Sequence, residues 1–385
     1  MLLRCRNAVF AFIALTLSAF PAQAQSQGKI LVGMYAPLTG FGAADGKSVV
    51  TGAQLAVEKV NAAGGIRGKM VELTIYDDEG LPKNSVPLST RLIERDKVAI
   101  AISGSYSGPT RAAAGVFHQA GVPLISAYAV HPDITRSGKF AFRTVLIAQV
   151  QARAAAKLIG STLGKKRVVI TVLRNDYGKA MAEGFKEAAG QFGIEIVKEY
   201  EYGIEERQFG AIVSSVKRDD PEVVFDTGYW FVSAALVTQL RAGGVTSTIV
   251  GQEGYDSEKF IEIAKNAAEG VIITTALDRD SKDPVVRQFM DDFRKKAGYP
   301  ADMVAASGNA AMTVAIAGLQ KAGSEDPTKI RDAIASSTVD TVVGRLSFNE
   351  IGEVRKPVQV QVVRGGAWRH HSLIDDAQLL TPPNK

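Results

Sequence analysis

The stretch Val98-Ala99-Ile100-Ala101-Ile102-Ser103-Gly104-Ser105-Tyr106-Ser107-Gly108-Pro109 passes from an unbroken apolar run, through small polar residues, to a proline. Val98 to Ile102 reads as a strand buried on both faces. Pro109 suits the first turn of a helix, because its missing N–H would lack an intrahelical partner there anyway. That helix reaches Ala120, and Val122 to Ser126 is apolar again. A strand, a helix and a second strand make a βαβ unit, whose crossover is right-handed and whose strands are parallel.

The same rhythm extends both ways. Upstream, Lys29 to Ala36 is a strand ending at Pro37, and Val49 to Ala62 is a helix stopped by Gly64-Gly65. Val71 to Asp77 is a strand, and Pro82 to Arg95 a helix. Downstream a second series begins. Strands at Phe140 to Thr144, Arg167 to Leu173, Ile194 to Tyr200, Val223 to Asp226, Thr248 to Gly251 and Gly270 to Thr275 are separated by helices. Those helices are Ala148 to Leu163, Tyr177 to Phe192, Arg207 to Lys217, Phe231 to Ala242 and Ser257 to Ala267. Two more, Val285 to Ala297 and Met303 to Ala322, occupy the last quarter. The class is α/β, with parallel sheets covered by helices and two lobes of one kind.

Composition agrees. The chain has 385 residues, 46% hydrophobic and 22% charged, which excludes a disordered chain, a collagen-like fibre and a coiled coil. The net charge of +5 is spread over 45 basic and 40 acidic residues, too dilute to suggest nucleic acid. With one cysteine there is neither an internal disulfide nor a cysteine zinc cluster. At the start, Arg4 and Arg6 precede an apolar run from Ala8 to Phe20 and the small-residue site Ala22-Gln23-Ala24. This is the pattern of an export signal cleaved after Ala24, which would also remove Cys5. No Cys follows the apolar run, so there is no lipoprotein signal, and the expected location is the periplasm.

Catalytic signatures are missing. The sequence has no Walker A loop, G-x-G-x-x-G, H-E-x-x-H or G-x-S-x-G. Gly104-Ser105-Tyr106-Ser107-Gly108 has a tyrosine where a nucleophile elbow needs serine. His118 and His131 have no orienting Asp by spacing, and His370-His371 lies in a charged tail. A secreted Ser-His-Asp hydrolase therefore lacks support. Asp77-Asp78-Glu79 reads as capping carboxylates in a solvated loop rather than a cation site. No metal or cofactor is expected, and no enzymatic activity.

Polar and aromatic residues instead collect after the carboxyl ends of strands, where open α/β sheets bind ligands. Ser103 to Gly108 leads into a helix N-terminus, where backbone N–H groups and hydroxyls suit a carboxylate. Ser126 to Val130, Asp226 to Trp230 and Gly251 to Gly254 occupy equivalent ends of other strands. Glu253 in the last of these could hold an ammonium.

With these segments in view, the chain resembles the bacterial branched-chain amino-acid binding proteins, the periplasmic receptors of ABC importers. The resemblance rests on Gly33-Met34-Tyr35-Ala36-Pro37-Leu38-Thr39-Gly40, on Thr51-Gly52-Ala53 and on Val60-Asn61-Ala62-Ala63-Gly64-Gly65-Ile66-Arg67-Gly68-Lys69. Tyr76-Asp77-Asp78, Asn175-Asp176-Tyr177-Gly178, Gly251-Gln252-Glu253-Gly254 and Val339 to Gly344 continue it. It implies the type I periplasmic binding protein fold, two Rossmann-like lobes joined by three crossings near Leu146, Thr275 and Pro357. Residues 25–145 and 276–356 would form the N-terminal lobe, and residues 146–275 and 357–385 the C-terminal lobe. The helices from Val285 would return to the first lobe and the final strand to the second.

The resemblance also assigns a ligand site. Ser107, supported by Ser105, matches the serine that grips the ligand carboxylate, and Tyr128 and Val130 lie where the family presents backbone groups. Valine at 130 stands where a threonine hydroxyl is usual. Tyr177 matches an aromatic pocket wall, Tyr229 the tyrosine that closes from the second lobe, and Glu253 the acid that pairs with the ammonium. Asp45 stands where a tyrosine packs on the side chain in leucine-binding members; a carboxylate there argues against a purely aliphatic specificity, in favour of a more polar amino acid, an amide or another nitrogenous solute, and could take part of the ammonium's charge with Glu253. The implied partners are a small-molecule ligand, an amino acid or related carboxylate, and a membrane ABC permease. The receptor itself is expected to be a monomer. An amide or an aromatic acid as ligand, with Trp230 beside Tyr229, and a ligand-sensing periplasmic subunit are the alternative readings.

Overall fold

The computed structural model describes residues 28–383, so the export signal read at residues 1–24 lies outside the described residues. The first series runs β1 (Lys29–Ala36), α1 (Ala43–Ala62), β2 (Met70–Asp77), α2 (Pro82–Thr90), β3 (Ile100–Ser103), α3 (Ser107–Ala120), β4 (Leu124–Ser126), α4 (Asp133–Arg136) and β5 (Ala141–Arg143). The second runs α5 (Ala148–Lys157), β6 (Arg167–Leu173), α6 (Asp176–Ala189), β7 (Glu195–Tyr202), α7 (Gly210–Asp219), β8 (Val223–Asp226), α8 (Trp230–Ala242), β9 (Thr248–Gly251), α9 (Glu258–Ala264) and β10 (Ile272–Thr275). The last part holds α10 (Pro284–Ala297), α11 (Met303–Ala322), α12 (Pro327–Ala335), β11 (Thr338–Thr341), β12 (Gly344–Ser347), β13 (Val358–Arg364) and β14 (Ala367–Ile374).

Two main sheets result. The first has the order β2-β1-β3-β4-β5 and is parallel throughout. The second has the order β14-β13-β10-β9-β8-β6-β7, parallel from β10 to β7, with β13 and β14 antiparallel at one edge. Ile30, Val32, Ile100 and Ile102 in the first sheet and Val168, Ile170, Val223 and Phe225 in the second are inaccessible to solvent, as strands covered on both faces require. In each sheet the strand order reverses beside the first strand of its series. In the first sheet the reversal lies between β1 and β3, and in the second between β6 and β8. Loops leaving the carboxyl ends on either side of such a reversal diverge and leave a crevice.

The chain then recrosses. After β10, α10 and α11 return to the first lobe. There α11 lies against α1 so closely that a Cβ on Gly52 would stand 2.0 Å from the Ala305 carbonyl oxygen, and one on Gly308 2.3 Å from that of Val49. Asn309 Nδ2 donates to the Gly52 carbonyl at 3.0 Å within this contact. By length and composition α11 could cross a membrane, but here it is a core helix, mostly buried. Beyond β12 the chain passes back to pair β13 with β10.

The segment after α11 differs from the sequence reading. Asp326 caps α12 through Lys329 N, with Pro327 in the first turn, and β11 and β12 form a small hairpin. Where one final strand was expected there are two, joined at Gly365-Gly366. Both glycines have positive φ (61° and 72°), as a tight hairpin turn demands.

Candidate functional site

The two crevices face each other across a narrow cleft. From the first lobe come Asp45 in the first turn of α1, Tyr106 and Ser107 at the start of α3, Tyr128 after β4, and Met303 and Val304 at the start of α11. From the second come Tyr177 at the start of α6, Tyr229 and Trp230 at the start of α8, and Glu253, Gly254 and Asp256 after β9.

Local sequence sets each position. Asn175 caps α6 by accepting the Gly178 N–H at 2.8 Å, which fixes Tyr177 in the first turn. Asp302 caps α11 by accepting the Ala305 N–H at 2.7 Å. Beneath Tyr229 the buried Asp226 carboxylate accepts from Thr171 (2.7 Å), Ser233 (2.6 Å), Tyr255 (2.6 Å) and Tyr202 (2.9 Å). This hub pins the turn that carries Tyr229, so Asp226 is scaffolding.

The walls are aromatic. Tyr229 stacks on Tyr177 with ring centroids 4.8 Å apart, and Tyr106 of the other lobe lies 4.8 Å from Tyr229. Phe41 and Phe231 meet across the lobes at 5.6 Å. Polar contacts also cross the cleft. Asp45 accepts from the Tyr106 hydroxyl at 2.6 Å within its own lobe and from Trp230 Nε1 of the opposite lobe at 2.9 Å. At the rim, Arg111 Nε reaches Asp176 at 2.9 Å. These contacts join the two lobes across the cleft.

Two residues that line the cleft keep unused hydrogen-bonding capacity. The Ser107 hydroxyl oxygen accepts the Val130 N–H at 3.2 Å, which leaves its proton to donate at the N-terminus of α3. Glu253 is buried, and its Oε1 has no hydrogen-bond partner in the protein. Burial pushes its carboxyl up to about 7, while Gln151, the Lys356 ammonium and Arg143 pull the other way and Asp256 adds to the rise. A buried carboxylate left unpaired is costly and calls for a cation. Burial also raises Asp45, against the hydrogen bonds from Tyr106 and Trp230.

Of the residues expected from the sequence, Asp45, Ser107, Tyr128, Tyr177, Tyr229 and Glu253 come together on the cleft. Ser105 and Val130 do not line it. Ser105 is wholly buried and turned toward Asp78, and Val130 gives its N–H to Ser107 from behind. Both act on the layer beneath the wall. Asp45 also has a role that the sequence did not suggest, since its two oxygens accept from Tyr106 and, across the cleft, from Trp230. Tyr106, Met303 and Val304 were missed. Tyr106 was in plain view within the serine-glycine stretch, whereas α11 reaches the site only through the long return of the chain. Asp77, in the acidic run, accepts the N–H groups of Leu38 (2.8 Å) and Glu79 (2.9 Å), the capping role expected of it. Among the described residues no group of three His, Cys, Asp or Glu side chains could hold a metal ion.

The family profile described as periplasmic binding protein matches residues 29–367. The chain belongs to this family. It is 28% identical over 347 residues to the leucine-, isoleucine-, valine-, threonine- and alanine-binding protein of Pseudomonas aeruginosa, covering 89% of this chain and 92% of that one. It is 32% identical over 328 residues to a Leu/Ile/Val-binding protein of Rhizobium johnstonii, covering 84% and 89%. Its fold superposes with a TM-score of 0.84 on the branched-chain amino-acid transporter substrate-binding protein LivJ of Streptococcus pneumoniae in complex with isoleucine, at 25% identity over 90% of this chain and 99% of that one. The type I periplasmic binding protein architecture follows, with its two α/β lobes.

Proposed function

We propose that the protein is the solute-binding receptor of an ABC importer. In this reading it takes an α-amino acid, branched-chain or a near relative, between its lobes in the periplasm and presents the closed form to a membrane permease. Residues 25–145 with 276–356 make the lobe that carries Ser107, and residues 146–275 with 357–385 the lobe that carries Glu253. The carrying observation is the placement of Glu253, an unpartnered buried carboxylate, in a cleft whose other lobe offers the Ser107 hydroxyl at a helix N-terminus. An α-amino acid presents an ammonium and a carboxylate to such a pair, and Tyr106, Tyr177, Tyr229, Met303 and Val304 surround its side chain with apolar surface. Ligand touching both lobes only in the closed form draws the population toward closure. No bond is made or broken in this cycle. The leucine, isoleucine and valine named for the relatives make those three amino acids the first ligands to try.

Calorimetric titration of the wild type and of Glu253→Gln with leucine, isoleucine and valine tests the reading. The amide keeps the shape and removes the charge. Leaving a buried ammonium without its counter-charge costs about 3–5 kcal/mol, over a hundredfold in affinity. A loss below tenfold would remove the ammonium-pairing role.

A further inference from the structure

Behind Glu253 lies a second, small pocket, lined by Leu146, Gln151, Glu253, Thr274, Thr275 and Lys356 among others. Its walls come from all three places where the chain passes between the lobes: the segment after β5, the end of β10 and the approach to β13. The Lys356 side chain is buried there, and its Nζ makes no hydrogen bond in the protein. Glu253 lines this pocket and the ligand cleft alike, so the one carboxylate separates the two spaces.

We propose that Lys356 is a positioning residue for ligand recognition: from the hinge pocket its ammonium keeps Glu253 ionised, and so ready for the ligand's ammonium. The inference rests on the amino-acid reading for its ligand, though not for the state of Glu253 itself. The other charged groups nearby are already committed. Arg143 Nε is 2.9 Å from Glu353, and Asp256 is 2.5 Å from Arg279. Tyr177 and Tyr229 present neutral hydroxyls, held protonated by burial. Among the described residues Lys356 is therefore the cation without another partner that acts on Glu253, and the pocket places it on the side away from the cleft. The charges then balance when the cleft closes on a zwitterion, with Glu253 and the ligand carboxylate against Lys356 and the ligand ammonium. Burial lowers Lys356 to about 8, while Glu253 holds its proton on, so its influence ends in mildly alkaline solution.

The test compares wild type with Lys356→Met and Lys356→Arg in the full chain. In ligand-free protein, the carbon-13 shift of the Glu253 carboxyl is followed from pH 5 to 9. Removing an opposite charge that acts on a carboxyl moves it up by about one unit, so the midpoint should rise in Lys356→Met and stay put in Lys356→Arg. Leucine affinity should then fall about five- to tenfold in Lys356→Met at pH 6 to 7, with the loss gone by pH 9. On a Glu253→Gln background the same change should cost nothing further. An unmoved carboxyl midpoint, or a leucine loss equal at every pH and on both backgrounds, overturns the proposal and leaves a packing role. If the midpoint moves but leucine does not bind the wild type, the proposal stands for Glu253 and the amino-acid reading fails.

Discussion

Replacing Trp230 with phenylalanine keeps an aromatic ring at the start of α8 and removes one donor, the indole N–H that crosses the cleft to Asp45 at 2.9 Å. Asp45 is buried, and its other oxygen is already taken by Tyr106. In the closed form the variant leaves one carboxylate oxygen without its donor, whereas in the open form water replaces the indole. The penalty therefore falls on closure alone. A hydrogen bond to a charged group is worth about 1.5–3 kcal/mol, and each 1.4 kcal/mol is about tenfold in an equilibrium. Because ligand is held by both lobes together, the closed population and the apparent affinity should drop by the same factor, about ten- to a hundredfold. Calorimetry with leucine gives the affinity, and small-angle X-ray scattering with saturating ligand gives the shape. Thermal unfolding without ligand should change little. An affinity within twofold of wild type would mean that the Asp45–Trp230 bond is no part of what closes the lobes.

Ser107→Ala should weaken a carboxylate ligand by about 1.5–3 kcal/mol, read by calorimetry, and unchanged affinity would take Ser107 out of the site. Asp302 and Glu253 are pushed by burial up to about 7, and Asp78 up to about 6. Each holds its proton more tightly folded than unfolded, so the stability these groups lend is complete below about pH 4 and is lost as pH rises through 6 to 7. Urea melts of ligand-free protein from pH 4 to 8 should show that decline, and a rise over the same window would contradict it. Gly52→Ala drives a methyl onto the Ala305 carbonyl between α1 and α11 and should cost about 1–3 kcal/mol by overpacking; an unchanged urea midpoint would mean that the two helices part freely.

The α/β alternation was legible because buried parallel strands are written as apolar runs and their helices as amphipathic ones. Lys29–Ala36, Arg167–Leu173, Thr248–Gly251 and Met303–Ala322 have the bounds read from sequence. The cleft residues were legible for a topological reason, since each follows the carboxyl end of a strand. What failed did so at the level of orientation. Ser105 and Ser107 are two residues apart in one loop, yet one faces Asp78 and the other the cleft, and composition cannot tell which. Asp45 was read as free because its partners come from distant segments, Trp230 being 185 residues away. The β13–β14 hairpin is a different case, for Gly365-Gly366 directly after the alternating valines of Val358 to Val363 is a turn signal that could have been read. Lys356 gave no signal, since a lone lysine before a proline looks like solvated surface.

In the proposed function the cleft recognises both charged ends of an α-amino acid. Titrating the wild-type protein with leucine and with 4-methylpentanoate, the same molecule without its amino group, tests it most directly. The account predicts that leucine binds and that the deaminated acid, which offers Glu253 no cation, is weaker by about 3–5 kcal/mol, over a hundredfold. Equal or tighter binding of 4-methylpentanoate would contradict it.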